Sequence, residues 1–391
     1  MSLKGKNILL GICGGIAAYK VPGLIRILSR EGASVQVILT KNGGEFVGKA
    51  TLSTLTRKEV ITDLFPENQA ITTEHISASD WAHALLVTPA TANCLAKFAR
   101  GIADDFLSTL YLSLKVPVIL APSMNERMWA HPATQENAAI LRKRGAVIIE
   151  PAEGDLACGT RGKGRLPAEE VILFAVRKAL TPQDLAGKKI LVTCGGTEEA
   201  LDPVRVITNK SSGRMGIALA KNAMERGADV TLIHGHVTVQ VPSYIRAVKA
   251  QSVKEMLSAV ENHFRKSDLL IMAAAVSDFT ADAVSTGKIK KSGKGLLLKL
   301  KETPDILKTV AKSKGKRKII GFSLEDEGGE EKALRKLREK QCDLMIYNTH
   351  TALGSDKNEI TIIKKSGAAE HPGELSKEEA AKIILDHAAA L

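Results

Sequence analysis

The chain starts a fold twice. Gly5-Lys6-Asn7-Ile8-Leu9-Leu10-Gly11-Ile12-Cys13-Gly14-Gly15 is echoed by Gly187-Lys188-Lys189-Ile190-Leu191-Val192-Thr193-Cys194-Gly195-Gly196: a basic start, a short apolar run, then glycines. An unbroken apolar run is the pattern of a strand buried on both faces of a parallel sheet. Glycine directly after it permits a tight turn where backbone approaches a ligand. The 391 residues exceed what one hydrophobic core usually holds, and each copy leads a stretch large enough to be a domain. Two α/β domains in series are expected, over residues 1–180 and 188–391. Residues 181–187 form the join, because Thr181-Pro182-Gln183-Asp184 ends a helix expected over 168–180.

Composition narrows the class. With 44% apolar residues, each half has material for a core. No run of 18 apolar residues marks a membrane span, and MSLKGKNILLG lacks the features of a signal peptide, so a cytosolic protein with no membrane partner is expected. Five cysteines without a Cys-x-x-Cys pair fit neither a disulfide framework nor a zinc knuckle, and no metal ligands can be named. The net charge of +12 is uneven: residues 288–318 hold twelve Lys or Arg against two acids. A nucleotide triphosphate, a phosphorylated small substrate, a solvated face or nucleic acid would each account for that cluster. No aromatic interleaves with it as a stacking platform would, so no nucleic-acid partner is expected.

In the first half, 8–12, 34–39, 85–87 and 116–120 read as strands, and 16–29, 91–98, 104–114 and 125–142 as helices. This alternation implies a parallel sheet. The loop at Gly14 and Gly15 lacks the GxGxxG spacing, and strand 34–39 leads into Thr40-Lys41 with no acidic residue. A mononucleotide phosphate at a helix N-terminus suits it better than a dinucleotide, and close helix–sheet packing accounts for the glycines equally well. Thr91 or Asn93 either caps the next helix or meets a ligand, and the same choice stands for Asn125. Cys158 lies in a Gly-rich stretch that reads as a flap or a plain connector.

His75 in Glu74-His75-Ile76, Thr88–Asn93, Gly101-Ile102-Ala103-Asp104-Asp105, Pro122-Ser123-Met124-Asn125-Glu126-Arg127-Met128-Trp129 and Ala157-Cys158-Gly159 resemble, in this order, the flavin-containing cysteine decarboxylases. The resemblance implies a flavodoxin-like (Rossmann-type) parallel-sheet domain binding FMN, through Gly14, Gly15, Thr40, Thr91, Asn93 and Ser108. It implies His75 as active-site base, Asn125 on the substrate carboxylate or backbone beside Met124, and Cys158 as proton donor on a flap. Many members have Ser where this chain has Cys13. A cysteinyl carboxylate has no electron sink. Oxidation at the CH2–S carbon by a flavin creates one, CO2 leaves, and reduction with protonation gives the saturated thiol.

In the second half, 190–193, 229–233, 269–272, 296–300, 318–320, 344–346 and 359–363 read as strands, and 214–226, 253–264, 329–340 and 376–390 as helices. Residues 275–300 read as an excursion reaching toward a dimer partner, and 364–375 as a surface turn. Asp202–Gly216 gathers polar groups and glycines before a helix, and Ser211, Ser212 and Gly213 would surround a phosphate. This stretch, with Gly195–Glu199, Ala274–Phe279, Lys288–Lys291 and Gly321-Phe322, resembles phosphopantothenate–cysteine ligases. The two families meet in the bifunctional enzymes of coenzyme A biosynthesis.

That resemblance implies a second Rossmann-like domain that activates 4′-phosphopantothenate with CTP and Mg2+ as an acyl-cytidylate, which cysteine then attacks. Asn209 would stabilise the acyl intermediate, Lys288 would offset triphosphate charge, and Asp278, Phe322 and Lys340 would contact the nucleotide. The ligase product would be the decarboxylase substrate, giving 4′-phosphopantetheine. A homo-oligomer is implied, a dodecamer of decarboxylase trimers and ligase dimers. Ser277, Ser323-Leu324-Glu325-Asp326 and Tyr347-Asn348-Thr349 depart from the ligase pattern where nucleotide choice is set.

Overall fold

The computed structural model describes residues 3–65, 74–291, 293, 295–325, 329–348 and 357–391. Asp326 and Thr349 lie outside the described residues. The chain forms two compact units, one ending at Thr181 and one beginning at Pro182.

The first unit is a parallel sheet of β1 (Asn7–Ile12), β2 (Ser34–Leu39), β3 (Ala84–Ala90), β4 (Val118–Pro122) and β5 (Val147–Ile148), in the order 2-1-3-4-5. This is the flavodoxin-like order, whose switch point lies between β1 and β3. Alternate residues of a strand face opposite ways. Ile8, Leu10 and Ile12 therefore pack with Leu24, Leu28, Ile172 and Val176 on one side, while Leu9, Leu85 and Val87 pack with Leu95, Phe98 and Leu107 on the other.

Three local expectations are revised. The helix expected over 16–29 is a 3-10 turn, Ile16–Lys20, followed by helix Val21–Arg30 with Pro22 in its first turn. Proline has no N–H to give an earlier carbonyl, so it starts a helix rather than continuing one. The helix expected over 125–142 breaks for the same reason at Pro132, into Glu126–Ala130 and Pro132–Lys143. The Gly-rich stretch around Cys158 is a β-hairpin of β6 (Ala152–Asp155) and β7 (Arg161–Arg165), with Gly159 at φ 81° in its turn.

The second unit contains β8 (Lys189–Cys194), β9 (Glu198–Ala200), β10 (Val206–Thr208), β11 (Asp229–His234), β12 (Arg246–Lys249), β13 (Leu269–Met272), β14 (Phe279–Ala281), β15 (Leu300–Glu302), β16 (Lys318–Leu324), β17 (Leu344–Asn348), β18 (Lys357–Lys364), β19 (Ala369–Glu370) and β20 (Glu374–Ser376). The main sheet runs β12-β11-β8-β13-β16-β17-β18-β19, parallel as far as β17 and antiparallel beyond it. Counted in chain order, its six parallel strands stand 3-2-1-4-5-6, the doubly wound arrangement.

Residues 182–187 pack onto this unit: the Leu185 N–H donates to the Arg226 carbonyl at 3.0 Å, and Leu185 joins the core with Ile190 and Ala223. The leucine run expected as strand 296–300 is solvent-facing, with Leu297 96% exposed. Pairing begins only at Leu300, against β14. The stretch expected as a surface turn, 364–375, instead carries β19 and the start of β20, both paired to β18.

Candidate functional site

A cavity of about 1100 Å³ opens at the carboxyl edge of the first sheet, at the β1/β3 switch point. Open α/β sheets bind ligands there because strand order reverses and the flanking helices part. Gly14, Gly15, Thr40, Thr91, Asn93, Ser108, Met124, Asn125 and Cys158 all line it. His75, on helix Glu74–Trp81, does not.

The loops are held by their own polar groups. A Cβ at Gly14 would overlap the Cβ of Asn42 and sit 2.9 Å from its carbonyl carbon and oxygen, so only glycine lets these two loops meet. The Thr40 hydroxyl donates to the Ile12 carbonyl at 3.1 Å and accepts from the Gly43 N–H at 3.2 Å. Thr91 caps helix Ala92–Arg100 by accepting from the Cys94 N–H at 3.2 Å. Ser108 and Asp105 form a reciprocal capping box at the start of helix Phe106–Ser113. Caps of this kind fix where a helix begins and hence where its wall of the cavity stands.

Lys97 lies 2.6 Å from Asp104 and 2.7 Å from Asp105 on the cavity wall. Burial works against the Asp105 charge, but the hydrogen bonds from Lys97 and Ser108 outweigh it and hold the carboxyl below its ordinary range. Sequence reading named Asp104 and Asp105 only as part of a motif and missed Lys97, whose i, i+7 and i+8 spacing to these acids crosses a helix end.

Two residues expected in catalysis meet directly. The Asn125 amide nitrogen donates to the Cys158 sulfur at 3.2 Å, while its oxygen caps the next helix by accepting from the Arg127 N–H at 2.9 Å. Of the two sequence alternatives for Asn125, the helix cap is seen, and the amide nitrogen left over from it faces Cys158 on the cavity wall. Thr160 Oγ1 lies 3.3 Å from the same sulfur. The contact with Thr160, helped by Asn125 and opposed by slight desolvation, lowers the Cys158 thiol from its ordinary value. The hairpin is seated by glycine: a Cβ at Gly164 would overlap the Met124 carbonyl oxygen, and Gly164 O accepts from the Met124 N–H at 2.9 Å.

The residues fit a flavin mononucleotide. The cavity exceeds the usual ~300–1,000 Å³ of a small-molecule site, leaving space for cofactor and substrate together. The Gly14–Asn42 approach forms a close-walled cradle that a side chain at Gly14 would fill.

In the second unit, polar loops converge beyond the ends of β8 and β13. The Asn209 amide donates to the Val276 carbonyl at 2.9 Å, and Thr197 Oγ1 accepts from the Ser277 N–H at 2.9 Å. A Cβ at Gly196 would lie 2.6 Å from the Asn209 carbonyl oxygen. Gly213, at φ 77°, turns the chain into helix Arg214–Glu225 and lies close against Val237. Asn209, Gly213 and Asp278 thus border one set of loops, joined by Ser212, whose carbonyl accepts from the Thr238 N–H at 3.3 Å, and by neighbouring Ser211. Phe322 is on β16, one residue past the pairing of Gly321 with Met272.

Lys288 and Lys340 are placed by other contacts. Lys340 pairs with Asp305 at 3.0 Å. Lys288 is exposed, but its neighbour is anchored: the Ile289 N–H donates to Asp202 at 3.1 Å, and Arg205 bridges the Ile289 carbonyl and Asp202 at 3.0 and 2.8 Å. Burial tends to raise the Asp202 carboxyl; hydrogen bonds from Val204, Ile289 and Arg205 overcome this and lower it. Sequence reading missed this Asp202–Arg205 clamp, visible only as an Asp-x-x-Arg pair before a polar loop. Among the described residues no group of three His, Cys, Asp or Glu could hold a metal ion, and no helix is long and apolar enough to cross a membrane.

Comparison with known proteins matches the same two units. Residues 1–181 match the family model described as Flavoprotein, and residues 185–391 that of the DNA/pantothenate metabolism flavoprotein C-terminal domain. The coenzyme A biosynthesis bifunctional protein CoaBC of Bacillus subtilis (strain 168) is 42% identical over 397 residues, spanning 100% of this chain and 98% of that protein. The protein of the same name from Mycobacterium tuberculosis (strain ATCC 25618 / H37Rv) is 43% identical over 360 residues, 88% of this chain and 86% of that one. A crystal structure of the C-terminal domain of CoaBC aligns with TM-score 0.47 at 36% identity, over 53% of this chain and 97% of that domain. The chain belongs to the CoaBC family of bifunctional coenzyme A biosynthesis enzymes, which join a ligase to an FMN-dependent decarboxylase.

Proposed function

We propose that the unit beginning at Pro182 is a Rossmann-type ligase that joins 4′-phosphopantothenate to cysteine at the expense of CTP with Mg2+. The unit ending at Thr181 then decarboxylates the product to 4′-phosphopantetheine. The observation that carries the decarboxylase assignment is the 3.2 Å contact between Asn125 and Cys158 on the wall of the switch-point cavity. Gly14, Gly15, Thr40, Thr91, Asn93 and Ser108 would hold the flavin. When bound, it supplies reversible two-electron oxidation of the substrate's CH2–S carbon.

Asn125 orients the substrate carboxylate beside Met124, and Cys158 delivers a proton from the hairpin turn. The cavity does not contain His75, so its role as base rests on a second copy of the chain, in keeping with the trimer expected for this half. In the ligase half, a free carboxylate is a poor acyl donor until its oxygen is joined to the α-phosphorus of the nucleotide with release of pyrophosphate, which makes CMP the leaving group for the cysteine amine. Asn209 stabilises the acyl-cytidylate, Ser211, Ser212, Gly213, Asp278, Phe322 and Lys340 bind nucleotide and substrate, and Lys288 offsets the triphosphate charge. Ligase dimers and decarboxylase trimers together would build the dodecamer.

The experiment is a reaction of the full chain with 4′-phosphopantothenate, cysteine, Mg2+ and either CTP or ATP. CMP with phosphopantothenoylcysteine or its decarboxylated product, 4′-phosphopantetheine, in the CTP tube alone supports the ligase reading, and equal turnover of ATP refutes the nucleotide choice. Sedimentation of the purified chain as a monomer would refute the second-copy role of His75.

A further inference from the structure

In the second unit a histidine and a carboxylate meet beside the polar loops. His236 Nδ1 lies 3.2 Å from Glu198 Oε1, and the His236 side chain is 53% exposed. We propose that His236, oriented by Glu198, is the base that takes the proton from the cysteine amine when that amine attacks the acyl-cytidylate. The inference rests on the ligase reading above.

Placement supplies the first reason. The loop after β11 is stitched to the loop after β8: the Gly196 N–H donates to the His236 carbonyl at 3.0 Å, and the His236 N–H to the Gly196 carbonyl at 2.7 Å. Glycine is needed on both sides of that bridge. A Cβ at Gly235 would overlap the Gly196 carbonyl oxygen, and one at Gly195 the His236 carbonyl oxygen. On its other side the same loop meets the turn before helix Arg214–Glu225. A Cβ at Gly213 would overlap Val237, and the Thr238 N–H donates to the Ser212 carbonyl at 3.3 Å. His236 therefore stands between the glycine turn and Ser211-Ser212-Gly213. Bridged residues lie ~5.5 Å apart between Cα atoms, and one bond of ~1.5 Å with the 2.6 Å from a Cβ on Gly196 reaches the Asn209 carbonyl oxygen, which puts that oxygen within ~10 Å of the His236 Cα.

The direction of the ring agrees. Glu198 of β9 stands opposite Thr208 of β10, the residue before Asn209. Opposite residues of an antiparallel pair share a face, so the imidazole that meets Glu198 lies at the Asn209 end of this hairpin. Glu199 leaves the other face and accepts from the Val253 N–H at 2.8 Å. Lys210 and Arg214 are the further charged residues on the loops packed against His236, and His234, at the end of β11, has its Nδ1 3.0 Å from the Gly235 carbonyl.

Chemistry supplies the second reason. An amine attacks through its lone pair, and the amide it forms carries one proton fewer. The new bond joins the cysteine nitrogen to the acyl carbon, the bond from that carbon to the phosphate oxygen breaks with its electron pair leaving on CMP, and the proton needs an acceptor. The amide of Asn209 and the hydroxyls of Ser211 and Ser212 are not bases near neutral pH, whereas an imidazole is. With the Nδ1 hydrogen donated to the Glu198 carboxylate, the lone pair sits on Nε2, for which no protein partner is found among the described residues. Nε2 takes the proton, Glu198 faces the imidazolium that results, and the proton then passes to water.

The test uses the full chain with His236→Gln, His236→Ala and Glu198→Gln, and reads the two steps of the ligase separately. Step one is the pyrophosphate released from CTP and 4′-phosphopantothenate without cysteine. Step two is the CMP released when cysteine is mixed with the preformed acyl-cytidylate. Loss of a general base costs about 10²- to 10⁴-fold, so both His236 variants are expected to slow step two about 100-fold or more while step one stays within about twofold. Glu198→Gln should show a smaller loss in the same step, and imidazole in the buffer should restore part of step two to His236→Ala. Equal slowing of both steps, an unchanged step two, or no response of His236→Ala to imidazole would overturn the inference. An unsubstituted chain that releases no pyrophosphate would overturn the ligase reading itself, and this inference with it.

Discussion

Gly14→Ala tests whether the cavity's cradle is built by backbone approach. The added Cβ would lie 2.9 Å from the Asn42 carbonyl carbon and oxygen and closer still to its Cβ. Carbon contacts relax at ~3.5–4.0 Å, so relieving the closest contact, with the Asn42 Cβ, requires a retreat of ~1–1.5 Å. Asn42 has little freedom to do so, because its turn is tied to β1 through Thr40 and the Ile12 carbonyl. Forced shifts of this kind cost about 1–3 kcal/mol. Expressed wholly in cofactor affinity, that is about 5- to 150-fold, at about 1.4 kcal/mol per tenfold. The assay is the flavin dissociation constant of the reconstituted chain, with denaturant unfolding to capture the part of the strain that appears as stability. Ligase turnover should be unchanged, because Gly14 belongs to the other compact unit. Wild-type flavin affinity together with unchanged stability would refute the claim that the glycine is there for close approach.

Cys158→Ala should keep its flavin and ligase activity and stall before the saturated thiol; normal phosphopantetheine output would contradict the proton-donor role. The Cys158 thiol is lowered by Thr160, so its proton is lost at lower pH than for an ordinary cysteine, and decarboxylase turnover should fall as pH rises through that value. Thr160→Val should therefore move the alkaline limb to higher pH, and an unmoved pH–rate profile counts against the assignment. Asn209→Ala should cripple synthesis of phosphopantothenoylcysteine while sparing its decarboxylation when it is supplied; equal loss of both steps would show a folding defect. Asp202→Ala should release Ile289 and, with it, the Lys288 segment, lowering ligase turnover about 10-fold by misplacing a charged group, to be read as kcat against CTP concentration.

Strands buried on both faces were legible because an uninterrupted apolar run of four to six residues can seldom be satisfied anywhere but inside a sheet. Leu269–Met272 stands where the pattern puts it. The same signal misled at Leu296–Leu298, which are apolar yet exposed and unpaired. The hairpin carrying Cys158 was illegible as strands, because Arg-Gly-Lys-Gly-Arg has no β-forming residue. Its pairing is imposed by β6 and by the seating of Gly164 on Met124. Prolines 22 and 132 were visible, but apolar periodicity ran across both and concealed the helix starts they mark. Of the candidate site, the cavity-lining residues were legible through resemblance. Lys97 was not, because its acids lie past the end of its helix, and neither was the Asp202–Arg205 clamp, whose third partner, Ile289, is far away in sequence.

The most direct measurement is mass spectrometry of one reaction holding the full chain, 4′-phosphopantothenate, cysteine, Mg2+ and CTP. The two-unit account predicts phosphopantetheine, CMP and CO2 from a single polypeptide, with phosphopantothenoylcysteine appearing transiently. Accumulation of phosphopantothenoylcysteine with a fully loaded flavin would contradict the decarboxylase half. Absence of any acylated product would contradict the ligase half.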